Sequence, residues 1–124
     1  LAKMLPVFRL GLGGPLAGGK MWMSWIHLED MVRIIVWAAT NEAVQGAVNG
    51  AAPNPVTNAE FTRELGKALH RPAFWPVPKL ALQARFGEMA SVVLASTRVH
   101  PQAALDGGFR FRQSDVGEAL RGLL

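Results

Sequence analysis

The sequence predicts an α/β fold of a few short strands among several helices, and three observations carry that expectation. Hydrophobic residues are 50% of the chain and charged residues 18%, a balance that supports a packed core rather than disorder. Runs of large apolar residues alternate with stretches of four-residue apolar spacing, so strand-like and helix-like segments follow one another. The 124 residues leave room for one domain with a single modest core, and not for a cofactor domain plus a substrate domain.

Taken in order, the first twenty residues hold Gly11, Gly13, Gly14, Gly18 and Gly19 with Pro6 and Pro15, which predicts an extended or looped segment. Gly14-Pro15-Leu16-Ala17-Gly18-Gly19-Lys20 imitates a phosphate loop, but Met21 stands where a hydroxyl would hold magnesium. Gly11-Leu12-Gly13-Gly14-Pro15-Leu16 begins like a dinucleotide fingerprint and lacks its last glycine. Neither stretch follows a strand or opens an amphipathic helix, so neither aims helix N–H groups at an anion.

Met21-Trp22-Met23-Ser24-Trp25-Ile26-His27 reads as a strand of large side chains. Glu29-Asp30 suits a helix start, and the segment from Met31 to Thr40 is apolar nearly all round, as in a helix buried between layers. A weak strand is expected over Ala47 to Ala52. Thr57-Asn58-Ala59-Glu60 matches a capping box. It opens a helix with Phe61, Leu65 and Leu69 on one face, stopped by His70-Arg71-Pro72.

Ala73 to Pro78 reads as a short edge strand, since its prolines forbid a central one. Helices are expected over Leu80 to Phe86, Glu88 to Leu94 and Pro101 to Asp106. Phe109-Arg110-Phe111-Arg112 alternates with period two, as a half-buried strand does. Ser114-Asp115 then cap a terminal helix with Val116, Leu120 and Leu123 or Leu124 inward. These strands are too few and too short for a complete doubly wound sheet.

Composition removes several classes of function. There is no cysteine, so disulfides, thiolate nucleophiles and cysteine metal sites are excluded and a cytoplasmic location is expected. No apolar run reaches the roughly 20 residues of a membrane span, and the start, Leu1-Ala2-Lys3-Met4-Leu5-Pro6, is not a signal peptide. Because position 1 is not Met, a processed chain or a fragment is expected. The net charge is +4, but the 13 Lys and Arg residues are scattered, so no nucleic-acid footprint is expected.

His27, His70 and His100 lie far apart without metal-ligand spacing, and no metal site is expected. His27, just ahead of Glu29 and Asp30, has the chemistry of a proton-transfer group, although a hydrogen-bonded junction histidine is the favoured reading. Trp22, Ser24 and Trp25 offer an aromatic wall with one hydroxyl, suited to a small polar ligand. Core and edge packing of the two tryptophans is an equal alternative, because a strand sends Ser24 and Trp25 to opposite faces. Thr57, Asn58 and Glu60 are assigned to capping, Glu88 to a helix start, and Arg110 and Arg112 to a solvated strand face.

Trp25-Ile26-His27-Leu28-Glu29-Asp30 resembles the hydrophobic-His-x-x-Asp junction in the C-terminal half of extended and atypical short-chain dehydrogenases/reductases. Further stretches resemble the NAD(P)-dependent epimerase subfamily whose C-terminal region is a domain of unknown function. They are Gly11-Leu12-Gly13-Gly14-Pro15, Trp22-Met23-Ser24-Trp25-Ile26-His27, Val48-Asn49, His70-Arg71-Pro72 and Gly108-Phe109-Arg110-Phe111. The string Ala52-Pro53-Asn54-Pro55-Val56-Thr57-Asn58-Ala59-Glu60-Phe61 is the specific part of this resemblance.

The resemblance implies the C-terminal, substrate-side portion of a Rossmann-type enzyme, with residues 1–124 as one domain and the N-terminal dinucleotide-binding domain absent. It implies NAD(P) and a small-molecule substrate for the complete enzyme. The family's glycine-rich loop and Tyr-x-x-x-Lys pair have no counterpart here, and the chain contains no tyrosine, so no catalytic residue and no cofactor-binding residue is assigned. Lys20, Trp22, Ser24, Trp25 and His27 are the implied substrate-side candidates. Separated from the Rossmann half, the chain is expected to bind no NAD(P) and to self-associate through the apolar segment from Met31 to Thr40. A self-standing, non-enzymatic basic module using the Phe-Arg-Phe-Arg segment is the rival reading.

Overall fold

A computed structural model describes residues 1–124 apart from the side chain of Val93. Element order is α1 (Leu5–Arg9), β1 (Trp22–Met23), α2 (Leu28–Thr40), β2 (Val56–Thr57), α3 (Asn58–Leu69), α4 (Lys79–Phe86), a 3-10 turn over Gly87–Met89, α5 (Ala90–Val93), α6 (Gln102–Asp106) and α7 (Val116–Leu123). Helices and strands are both present, but the sheet among the described residues is one antiparallel pair, Trp22 opposite Thr57 and Met23 opposite Val56.

The expected strand from Met21 to His27 therefore shrinks to Trp22 and Met23. After the Met23–Val56 pair the facing chain is Pro53-Asn54-Pro55, whose prolines have no N–H to donate. Main-chain bonding between the two segments resumes where the Ala52 N–H donates to the Trp25 carbonyl at 2.7 Å. That single bond is what the structure makes of the strand expected over Ala47 to Ala52.

α3 follows its sequence signals at both ends. The Thr57 hydroxyl accepts from the Glu60 N–H at 3.3 Å, and the Glu60 carboxylate accepts from the Thr57 N–H at 2.9 Å. His70 ends the helix in a left-handed conformation, φ 54° and ψ 40°. Leu65, fully buried, joins Phe8, Val116 and Leu120 in one core, against which Trp25, Val56, Phe61 and Leu69 pack. α7 starts where expected, with the Asp115 carboxylate accepting from the Glu118 N–H at 2.8 Å. Leu123 and Leu124 are exposed, however, and not inward.

A second cluster lies around α2, where Ile34, Ala104 and Phe109 are buried with Met31, Trp37, Val48 and Phe111 against them. The helix is thus covered along one stripe only. Leu28, Val32, Ile35 and Val36 are more than half exposed, at 74%, 53%, 59% and 55%, so α2 is not enclosed between layers.

Three further expectations are corrected. The first twenty residues are not wholly loop, because Pro6 sits in the first turn of α1, where its missing N–H is harmless. Residues 73–78 form no named strand but run beside the glycine-rich loop, tied by Trp75 N–H to Gly13 C=O (3.3 Å), Val77 N–H to Pro15 C=O (3.0 Å) and Ala17 N–H to Val77 C=O (2.8 Å). A Cβ on Gly14 would fall 1.6 Å from the Trp75 oxygen, and one on Gly13 2.6 Å from the Phe8 ring. Those glycines admit backbone and ring to close approach. Finally, Phe109 to Arg112 is no strand, although Phe109 is buried and Arg110 and Arg112 are exposed.

Candidate substrate-side junction

Between β1 and α2 the chain passes through Ser24 to His27, and each polar side chain there makes at least one hydrogen bond to the main chain. The Ser24 hydroxyl donates to the Thr97 carbonyl at 2.9 Å and accepts from the Val99 N–H at 2.8 Å. The Trp25 indole N–H donates to the Asn54 carbonyl at 2.8 Å. His27 is the N-cap of α2, its Nδ1 accepting from the Glu29 N–H at 3.2 Å. That lone pair is occupied by the cap, which is the junction role favoured from the sequence.

Ser24 and Trp25 border one shallow cavity of about 290 Å³ with Ile26, Asn49, Gly50, Ala51 and Val99. The opposite-face rule for strand neighbours does not separate them, because β1 has already ended at Met23. Trp22 lies outside that cavity. Its N–H donates to Ser96 Oγ at 3.0 Å, and the Arg98 guanidinium sits 4.4 Å from its ring centroid. Lys20 is exposed beside this junction.

Asp30 performs a task its sequence position does not announce. Its side chain is fully buried and accepts from the Arg112 N–H at 3.1 Å, the Gln113 N–H at 2.8 Å and Arg33 Nη1 at 2.7 Å. Burial pushes the carboxyl pKa up, but the N–H groups of Gln113 and Arg112 and the Arg33 charge outweigh it and hold the group below the usual range. An acidic residue in a first helical turn looks like a dipole partner, and nothing local reveals a bond to a segment 82 residues away. Arg98, Thr97 and Val99 were likewise not singled out by the sequence.

Phe109 packs edge-on to Trp37, 5.6 Å between centroids, and to Phe111 at 4.9 Å. The Phe-Arg-Phe-Arg segment therefore spends its aromatic surface in the second cluster. Among the described residues, no three or more His, Cys, Asp or Glu side chains converge as metal ligands. No described helix is long and apolar enough to cross a membrane.

Residues 77–123 match the family described as a domain of unknown function (DUF1731). Over its whole length the chain is 46% identical to the epimerase family protein SDR39U1 homolog, chloroplastic, of Arabidopsis thaliana, of which it covers 36%. It is 36% identical to the epimerase family protein YfhF of Bacillus subtilis, covering 41% of that protein. The crystal structure of the human epimerase family protein SDR39U1 with NADPH superposes with a TM-score of 0.92 at 40% identity, over 98% of this chain and 41% of that one. A nucleoside-diphosphate sugar epimerase from Corynebacterium glutamicum superposes at 0.63 with 32% identity, over 94% of this chain and 22% of that one.

The fold is that of part of an epimerase family protein, the human SDR39U1. The chain matches the C-terminal part of epimerase family proteins such as SDR39U1, and it spans about two fifths of the length of the curated relatives it matches.

Proposed function

We propose that this chain forms the substrate-side portion of an NAD(P)-dependent, nucleoside-diphosphate-sugar-epimerase-like oxidoreductase and catalyses nothing alone. The observation that carries this reading is the close superposition of nearly the whole chain on two fifths of a protein crystallised with NADPH. The glycine-rich segment of this chain supports it from the other direction. At Gly13 and Gly14 the Phe8 ring and the Trp75 main chain lie where a Cβ would stand, so at those two positions the close approach that glycine allows is taken up by the chain itself rather than by a pyrophosphate. NADPH in the complete protein is accordingly assigned to residues outside this chain.

Lys20 is the strongest candidate for direct substrate contact, because its ammonium is exposed while Ser24, Trp25 and His27 already have protein partners. The latter three shape the wall that Lys20 and Trp22 present. The cytoplasm is the compartment proposed, though the Arabidopsis relative is named as chloroplastic.

The test joins this chain to the N-terminal three fifths of the Bacillus relative and titrates NADPH calorimetrically into the fusion and into the chain alone. Only the fusion should bind. A panel of nucleoside-diphosphate sugars is then assayed with the fusion and its Lys20→Ala variant. The reading expects a raised KM and an unchanged NADPH affinity. NADPH binding by the chain alone, or equal KM values, would overturn it.

A further inference from the structure

Resting on the reading of this chain as part of a larger enzyme, we infer that residues 46–51 and the bare stripe of α2 form one docking surface for a β-sheet carried by the remainder of that enzyme. One strand of the sheet pairs with the main chain of residues 46–51, and α2 lies across the same sheet's face. Nearly the whole chain superposes on 41% of the human relative, so a body larger than this chain stands ready to supply the sheet.

Among the described residues, residues 46–51 make no main-chain hydrogen bond. The chain on either side is held, with the Val44 N–H donating to the Asn41 carbonyl at 3.1 Å and the Ala52 N–H to the Trp25 carbonyl at 2.7 Å. Between these anchors burial alternates, Ala47 and Asn49 exposed, Val48 and Gly50 half-buried, which is the period of a strand. Water does not account for the whole gap. Ala51 is only 4% exposed, and an unpaired main-chain group out of water costs about as much as a lost hydrogen bond. A strand laid alongside supplies the donors and acceptors in register, as in β-strand addition.

The apolar stripe adjoins that edge. Val48 packs into the cluster around Ile34, and a Cβ on Gly50 would fall 2.9 Å from Met31 Cε, so residues 48–50 lie against the Met31 side of α2. With about 100° between successive helical residues, Ile35, Leu28, Val32 and Val36 follow Met31 within about 140° around the helix, and each is more than half exposed. A helix about 10 Å across covers about two strands spaced about 4.8 Å apart. Residues 46–51 provide one of them, which leaves the stripe to lie over the next. A second copy of the chain fits worse. Its strand arrives with its own α2 on it, and two helices about 10 Å wide would compete for two strands. A sheet of uncovered strands leaves room for the stripe.

The experiment compares amide hydrogen exchange, read by mass spectrometry, in the dilute chain alone and in its fusion to the N-terminal three fifths of the Bacillus relative. Amides 46–51 should exchange at least about tenfold more slowly in the fusion. Val32→Lys/Ile35→Glu should leave the urea midpoint of the dilute chain unchanged and lower that of the fusion, whereas Lys3→Gln lowers neither. NADPH titration of the same fusion separates this surface from the reading it rests on. A fusion that binds NADPH while 46–51 exchange as fast as in the chain alone, or while the stripe variant keeps its midpoint, overturns the docking surface and leaves that reading standing. Protection without NADPH binding does the reverse. Protection in the chain alone that rises with its concentration would give the surface to a second copy and overturn the sheet. Should the fusion fail to fold, the intact Bacillus relative replaces it: its segment aligned with 46–51 should be as protected, and free exchange there would overturn the inference.

Discussion

Replacing Asp30 with alanine should cost about 3–4 kcal/mol of folding stability, far more than any other single charge in the chain. The carboxylate accepts from two main-chain N–H groups and one guanidinium, and a hydrogen bond to a charged group is worth about 1.5–3 kcal/mol. Arg33 is 31% exposed at its side chain and can turn to water, so its share is below about 1 kcal/mol. The larger part is the two N–H groups of Arg112 and Gln113, which would be stranded beside a buried methyl group. Urea unfolding followed by tryptophan fluorescence at pH 7 measures the loss, with Arg33→Met as the control for the ion pair alone. The same carboxyl gives the loss a pH signature. Its folded pKa is depressed, so its contribution is complete above the unfolded value of about 3.9 and disappears as pH falls through the lower folded value. The gap between the native chain and Asp30→Ala should therefore stay constant from pH 7 to about 5 and narrow only below about 4. A loss within about 0.5 kcal/mol, or one equal to that of Arg33→Met, would refute the reasoning, since exposed pairs alone give that little.

Thr57→Ala should lower stability by about 1 kcal/mol through loss of the N-cap of α3, read as a shifted urea midpoint. Gly14→Ala should cost about 1–3 kcal/mol, the range of forced overpacking, because the new methyl group would overlap the Trp75 carbonyl. Limited proteolysis within 72–78 should then accelerate, and an unaltered digestion pattern would contradict the pairing. The stripe of Leu28, Val32, Ile35 and Val36 should drive self-association of the isolated chain. Light scattering over a dilution series should show a mass that falls with concentration and becomes monomeric in Val32→Lys/Ile35→Glu; a strictly monomeric native chain at high concentration would refute it.

What could be read from the sequence was what is decided within a few residues. α3 shows this best, since Thr57, Glu60 and the His70-Arg71-Pro72 stop all act inside one or two helical turns. Strand pairing is decided elsewhere. Met21 to His27 has the side chains of a strand, but the ladder is cut by Pro53 and Pro55, which read locally as an ordinary turn. Phe109 to Arg112 alternates correctly between buried and exposed, yet its continuation is captured by the Asp30 carboxylate instead of a strand. Of the five candidate site residues, the sequence placed all on one junction but could not show that Ser24, Trp25 and His27 already had partners from residues 54, 97, 99 and 29.

Those partners share a pattern that governs how the junction should be probed. Residues 94–114 have no sheet ladder to hold them, and beside one main-chain bond, Thr97 N–H to Trp22 C=O at 3.0 Å, they are tied to the first half of the chain by side chains bonding main chain. Ser24 holds Thr97 and Val99, Asn54 holds the Ser114 carbonyl at 3.0 Å, and Asp30 holds Arg112 and Gln113. Ser24, whose hydroxyl the sequence offers to a small polar ligand, thus works as a clasp with its donor and one acceptor position occupied. Ser24→Ala leaves the Val99 N–H and the Thr97 carbonyl without this partner at a partly exposed site, a loss of about 1–2 kcal/mol. Any fall in the activity of a complete enzyme carrying this change should accompany a lowered urea midpoint and recover with Ser24→Thr, which restores the hydroxyl. A large fall in kcat at an unchanged midpoint would instead show that the hydroxyl reaches the substrate.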